Sequence, residues 1–271
     1  MSIPAKDQIE AEPIVLVTPD WSPPANIKSI LTTRFGGWSQ HGYQGFNLAT
    51  HVGDDLRNVL RNRAILRKSL PSEPIWLNQV HGVDVWESGL EGSLIPTADA
   101  AVTNKPNEVL VIMTADCLPI LFCDASGKTI AAAHAGWRGL CQGVIEKSID
   151  GMIRSAKPKS AQLYISNLQV WLGPCIGVDH FEVGIDVFDA FKRTPQFTGI
   201  AIEEYFIKSD VEGKYFANLH ELARAHLKKL GVKEIFGQPK CTFDDASNFF
   251  SFRRHNSTGR FASLIWIENQ S

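Results

Sequence analysis

The sequence predicts an α+β fold in which helices pack outside a mixed sheet. Short apolar runs of strand length are bounded by turn residues, and amphipathic stripes of helical period lie between some of them. Strands and helices do not alternate strictly, as a doubly wound parallel sheet would require. Residues 1–13 read as a loose arm, followed by a first strand at Ile14–Val17. Asp54 and Asp55 precede Leu56–Leu70, where Leu56, Val59, Leu60, Arg63, Ile65 and Leu66 form a helical stripe with acidic residues near its start. Pro71 withholds a backbone donor and closes that helix.

The middle of the chain is more apolar. Val109–Met113, Pro119–Cys123 and Thr129–Ala133 predict buried strands, separated by Ala115-Asp116-Cys117 and by Asp124–Gly127. Gly139–Arg154 predicts a helix with Leu140, Val144, Ile145, Ile149 and Ile153 on one side. Strands are expected at Gln162–Ile165 and Val170–Gly173, and a short helix at Ile185–Phe191. A helix over Leu219–Leu230 and strands at Glu234–Phe236 and Phe261–Ile267 complete the series.

Composition bounds the function. The chain has 271 residues, 44% hydrophobic and 21% charged, which excludes a disordered or fibrous protein and fits one domain over 14–271. Its formal net charge is −2, with Lys and Arg spread along the chain, so neither a nucleic-acid partner nor an anionic membrane is expected. The N-terminus carries acids where a signal peptide needs an apolar core, and no run approaches the roughly 18 apolar residues of a membrane span. Five scattered cysteines argue against a disulfide scaffold. The expected location is the cytoplasm.

Three metal-competent side chains fall where strands give way to loops. His81 closes Leu77–His81, an expected strand ending at Gly82. Cys117 interrupts two apolar runs, and His134 joins a strand to a helix. Zinc accepts imidazole and thiolate, and three protein ligands leave a fourth position open. Their spacing matches no local motif such as CxxC or HExxH, and single histidines or cysteines at strand ends are commonly structural. The same residues also fit nucleophilic catalysis, with Cys117 attacking, His134 as base and Asp99 or Asp116 orienting the imidazole. The residues alone do not separate these readings. Arg34, Arg138 and the pair Arg253-Arg254 lie near the same expected rim. Arg34 and Arg138 stand out as phosphate clamps because glycine turns accompany them.

The motifs Leu77-Asn-Gln-Val-His81-Gly82, Thr114-Ala-Asp-Cys117-Leu-Pro119 and His134-Ala-Gly-Trp-Arg138-Gly139 resemble the YfiH family, also called the laccase-domain or polyphenol oxidase family. The resemblance runs from about Thr32 to Arg260 and takes in Asn47-Leu48, Val52–Asp55, Gly173–Gly177, Phe249–Arg254 and Thr258-Gly-Arg260. Departures are slight: Cys175 replaces a small residue, Phe252 a tyrosine and Asn218 an aspartate. The resemblance implies a four-layer α/β/β/α sandwich with mixed sheets and a metal held by His81, Cys117 and His134, Zn2+ with Cu2+ as the alternative. It implies purine nucleoside phosphorylase activity on adenosine, inosine, guanosine and methylthioadenosine, together with adenosine deaminase activity. The partners are then a nucleoside and phosphate, on a monomer or homodimer.

In that setting Cys117, His81, His134, Asp116 and Arg138 are the expected catalytic residues. Arg34, Asn47, Gln79 and Arg138 are expected to bind substrate and phosphate. Zinc deaminases use a Glu as proton shuttle, and these motifs contain none, so Asp116 or Asp99 is the expected substitute. Trp137 or Phe252 could stack on a base. The family's older label is copper-dependent oxidase, and its fold resembles that of toxin deamidases using Cys and His. Eight histidines without a His-x-His pair are too few for the usual multicopper architecture.

Overall fold

The computed structural model describes residues 13–89 and 93–269, so all but Pro13 of the expected N-terminal arm lies outside the described residues. In chain order the first elements are β1 (Leu16–Val17), β2 (Ile27–Thr32), α1 (Leu56–Arg67), β3 (Pro74–Ile75), β4 (Val85–Glu87), β5 (Ala100–Thr103) and β6 (Val109–Thr114). Next come β7 (Leu118–Asp124), β8 (Ile130–Ala135), α2 (Trp137–Gln142), α3 (Val144–Ala156), α4 (Ala161–Ser166) and β9 (Leu168–Leu172). The last are β10 (Glu182–Gly184), α5 (Ile185–Arg193), β11 (Phe206–Lys208), β12 (Lys214–Ala217), α6 (Leu219–Leu230), β13 (Glu234–Phe236) and β14 (Phe261–Ile267).

Two mixed sheets lie face to face, one ordered β1-β2-β14-β6-β3 and the other β13-β9-β7-β8-β5-β4. Side-chain alternation along each strand makes three cores and hence four layers. In β6, Val109, Val111 and Met113 pack with Leu66 of α1, while Leu110 and Ile112 face the second sheet. In β7, Leu121 and Cys123 meet the first sheet, whereas Leu118, Ile120 and Phe122 pack against Leu140, Ile145 and Ile149 of α2 and α3 and Leu222 of α6. Strands buried on both faces read as continuous apolar runs. A smaller sheet, β10-β12-β11, joins the helical side through Val183, Phe206 and Ala217. The four-layer α/β/β/α sandwich is the expected one.

Several local expectations are corrected. Gln162–Ile165 belongs to helix α4, because Ser160 caps it by accepting from the Leu163 amide and β9 is already paired on both edges, with β7 and β13. The helix over Gly139–Arg154 is two helices, broken at Gly143, whose φ of 100° suits glycine. Asp55 caps α1 as expected, but Leu56 and Leu60 are exposed, and the inward face is Val59, Asn62 and Leu66. Leu77–His81 is not a strand: only Asn78 makes an isolated bridge, to Thr97. β2, β3, β4, β5, β10, β11 and β12 are strands that the sequence does not predict. β5 is alanine-rich and has weak β-propensity, yet it lies between β8 and β4 beneath α3.

Candidate active site

Strand register assembles the site. β5 and β8 are antiparallel with Ala100 opposite Ala133, which places Asp99 opposite His134. β7 and β8 pair Leu118 with Ala135, which places Cys117 opposite Gly136. Asp99, Cys117 and His134 therefore meet at one rim of the six-stranded sheet. His81 arrives from the loop before β4. Asp99 secures that loop, its carboxylate accepting from the amides of Val80 (3.1 Å), His81 (2.9 Å) and Gly82 (2.6 Å). His81 is held at φ 63° and Asp116 at φ 95°, left-handed conformations that cost non-glycine residues of order 1–3 kcal/mol and cluster at functional sites.

The His134 Nδ1–H donates to Asp99 Oδ1 at 2.8 Å, which leaves Nε2 as the free donor atom of the ring. Cys117 Sγ lies 3.7 Å from His81 Nε2, and the donor atoms of His81, Cys117 and His134 all lie within 4.8 Å of one another. A tetrahedral ion with bonds of about 2.0–2.3 Å separates its ligands by about 3.3–3.7 Å. The donor set and its carboxylate-oriented histidine fit such an ion, with a fourth position open to the cavity.

Cys117 and His134 shift each other's titration. Burial pushes the Cys117 thiol up, but the His134 charge and hydrogen bonds with both histidines bring it down to about 6. Burial disfavours charged His134, yet the Cys117 thiolate and Asp99 carboxylate raise it to about 9. The same contacts thus favour a thiolate on Cys117 and a protonated His134.

These groups open into a cavity of about 280 Å3, walled on its apolar side by Met113, Ile176, Phe181 and the half-exposed Phe252. His51, Arg253 and Arg260 supply its other polar wall. Burial, reinforced by the charges of Arg260 and Arg63, lowers the His51 pKa and keeps its ring neutral at pH 7. Gln79 and Asp116 also line the cavity, but their polar atoms are engaged. Gln79 bonds both the N–H and the carbonyl of Met113, extending the edge of β6. Asp116 accepts from Thr242 Oγ1 (2.6 Å) and the Arg253 amide (2.7 Å), fastening the 242–253 segment to the Cys117 turn.

The structure does not bring Arg34, Asn47 or Arg138 to this cavity. Arg34 donates to the carbonyls of Ala246 and Gln44 and stacks on Phe250. Asn47 is buried, bonded to Asp54, Ala49 and the Arg260 amide. Arg138 lies over Trp137, which packs into the helical core. Sequence reasoning gave no site role to His51 or Arg260, although Thr258-Gly-Arg260 has the glycine turn that singled out Arg34 and Arg138.

Gly136 explains the small residues around His134. A Cβ there would lie 3.0 Å from both Cys117 Sγ and His81 Cδ2, although its φ of −64° suits any residue. Gly136→Ala should therefore spread the donor atoms and lower metal affinity while leaving the melting temperature nearly unchanged. Titration with a competing chelator checks this, and wild-type affinity would remove the assigned crowding.

Residues 28–268 match the family model described as multi-copper polyphenol oxidoreductase laccase. The chain belongs to this family. A curated relative from Haemophilus influenzae, named purine nucleoside phosphorylase, is 44% identical over 254 residues, covering 93% of this chain and 99% of the relative. Purine nucleoside phosphorylase YfiH of Escherichia coli K12 is 41% identical over 254 residues, covering 93% and 98%. Among solved structures, a Neisseria meningitidis protein described as DUF152 superposes with TM-score 0.83 at 44% identity, covering 94% of this chain and 99% of that one. YlmD from Geobacillus stearothermophilus gives TM-score 0.80 at 27% identity, covering 90% and 93%. No helix among the described residues is long and apolar enough to cross a membrane.

Proposed function

We propose that this chain is a zinc-dependent purine nucleoside phosphorylase, converting adenosine, inosine, guanosine or methylthioadenosine and phosphate to base and ribose 1-phosphate, with adenosine deaminase activity at the same site. The observation that carries this reading is convergence on one cavity: a metal-competent Cys–His–His set, two arginines with a neutral histidine, and an apolar aromatic wall. The names of the relatives support the reaction class. All five cysteines are free thiols, which supports a reducing, cytoplasmic setting.

Phosphorolysis needs a phosphate oxygen held at the anomeric carbon while the C–N bond breaks and its electron pair passes to the purine. Arg260 and Arg253 hold the phosphate. Each spends one terminal nitrogen on backbone carbonyls, Arg260 on Thr258 and Gly259, and Arg253 on His180 and Glu182, which fixes the guanidinium. Neutral His51 adds a hydrogen bond, and Phe252 and Phe181 flank the base. His81, Cys117 and His134 hold the metal, with Asp99 retaining the Nδ1 proton of His134. When bound, zinc would supply Lewis acidity. Only three of the eight histidines, His51, His81 and His134, line the cavity, which supports a single ion over a multicopper assembly.

Arg260 tests the phosphate assignment. Charge-assisted contacts contribute about 1.5–3 kcal/mol, so Arg260→Gln should lower phosphorolysis roughly tenfold to a hundredfold and deamination, which takes no phosphate, much less. Equal losses in both reactions would remove the assignment. A second reading rests on the Cys117–His134–Asp99 chain, which is also the arrangement of a cysteine hydrolase. His81 is superfluous in that reading, and its place beside the thiol favours the metal.

A further inference from the structure

We propose that His180, Cys241 and Asp244 form a second metal site, for zinc or a similarly borderline-soft divalent ion. One ligand atom from each of the three lies within 4.8 Å of the others. His180 Nε2 is 2.6 Å from Asp244 Oδ1. The His180 ring is stacked on Phe243, with centroids 4.1 Å apart, so its orientation is set by packing and its Nε2 points at the cluster. Cys241 Sγ accepts a hydrogen bond from the Gly177 amide at 3.2 Å, the kind of N–H···S contact that supports a metal-bound thiolate.

Cys241 and Asp244 share one turn and hydrogen-bond each other, and His180, 64 residues before Asp244, is the residue brought to them from afar. The three donor types then meet at one point, which a local thiol–carboxylate contact does not require. Cys241 is placed there by its isolated bridge to Cys175 and by the Thr242 amide donating to the Cys175 carbonyl. A tetrahedral ion needs about 3.3 Å between the nitrogen and oxygen donors. The 2.6 Å pair must open slightly, and Asp244, whose side chain is 61% exposed, is free to withdraw. A fourth position faces solvent on that side. One imidazole, one thiolate and one carboxylate is a donor set that zinc accepts and that magnesium or calcium, which take oxygen, does not.

None of the three ligands lines the active-site cavity, but their neighbours do. Ile176 and Phe181 flank the His180 turn, and Arg253 Nη1 donates to the His180 carbonyl at 2.9 Å. An ion here clamps the 177–181 turn to the 241–244 turn and stiffens one wall of the cavity. The role is structural, and it stands apart from the reaction proposed above.

The test counts zinc per chain at a fixed, buffered free-zinc concentration. His180→Ala with Asp244→Asn, both at partly or fully exposed positions, is compared with its parent in two backgrounds, wild type and Cys117→Ala. The expected result is a loss of one zinc per chain in each: from two to one in wild type, and from one to none in Cys117→Ala. Cobalt-loaded Cys117→Ala should also show a thiolate charge-transfer band that disappears with Cys241→Ser. Unchanged zinc content on removing His180 and Asp244 overturns the second site. Loss of zinc on Cys117→Ala alone speaks only to the first site, so the two assignments fail separately.

Discussion

Replacing Asp99 with asparagine is expected to weaken metal binding sharply at the proposed His81–Cys117–His134 centre without altering a single ligand. Asp99 is fully buried and accepts from three consecutive amides and from the His134 ring. Asparagine offers one acceptor oxygen and turns an NH2 group toward donors, leaving buried N–H groups unpaired at about 1–3 kcal/mol each. Two consequences follow from one substitution. The 80–82 loop that carries His81 loses its anchor, and the His134 tautomer that exposes Nε2 is no longer enforced. Orienting partners of this kind are worth roughly tenfold to a hundredfold in metal affinity, and loss of the loop anchor adds to that. Chelator competition and thermal melting should both register the change. Wild-type metal affinity in a folded Asp99→Asn protein would show that the carboxylate does not orient the site.

Cys117 carries the second large effect. Cys117→Ala should lose the active-site metal and all nucleoside turnover, whereas Cys117→His, which restores a zinc-competent nitrogen, should retain some zinc and a measurable trace of adenosine turnover. The cysteine-hydrolase reading makes the opposite forecast: a covalent adduct on the wild-type protein, seen as added mass during turnover, and a histidine variant that is inactive even when loaded with zinc. Intact-protein mass spectrometry beside metal analysis separates the two.

How much was legible follows from where each feature gets its physical cause. β6, β7, β8 and β14 could be read because both faces are buried, so Val109–Thr114 and Phe261–Ile267 are continuous apolar runs. β5, Ala-Ala-Val-Thr, carries no such signal and is a strand because of its neighbours. In α4, Leu163 and Ile165 mimic strand alternation, while the Ser160 cap and the pairing of the next strand, β9, on both edges decide for helix. Of the three candidate ligands, Cys117 and His134 stand at strand ends on one rim, whereas His81 comes from a loop whose expected strand does not form. Asp99 was visible only as one of two carboxylates, and the β5–β8 register chose it over Asp116. The polar wall was hidden because His51 and Arg260 come from distant loops whose approach is a tertiary event, with Asn47 accepting from the Arg260 amide.

The most direct test of the central claim is the product of adenosine turnover by purified, zinc-loaded protein with phosphate present and with phosphate omitted. The account predicts ribose 1-phosphate and adenine only when phosphate is present, and neither from Cys117→Ala protein, which lacks the active-site metal. Zinc-loaded protein that yields no ribose 1-phosphate from adenosine, inosine, guanosine or methylthioadenosine, or a Cys117→Ala protein that yields as much as wild type, would contradict it.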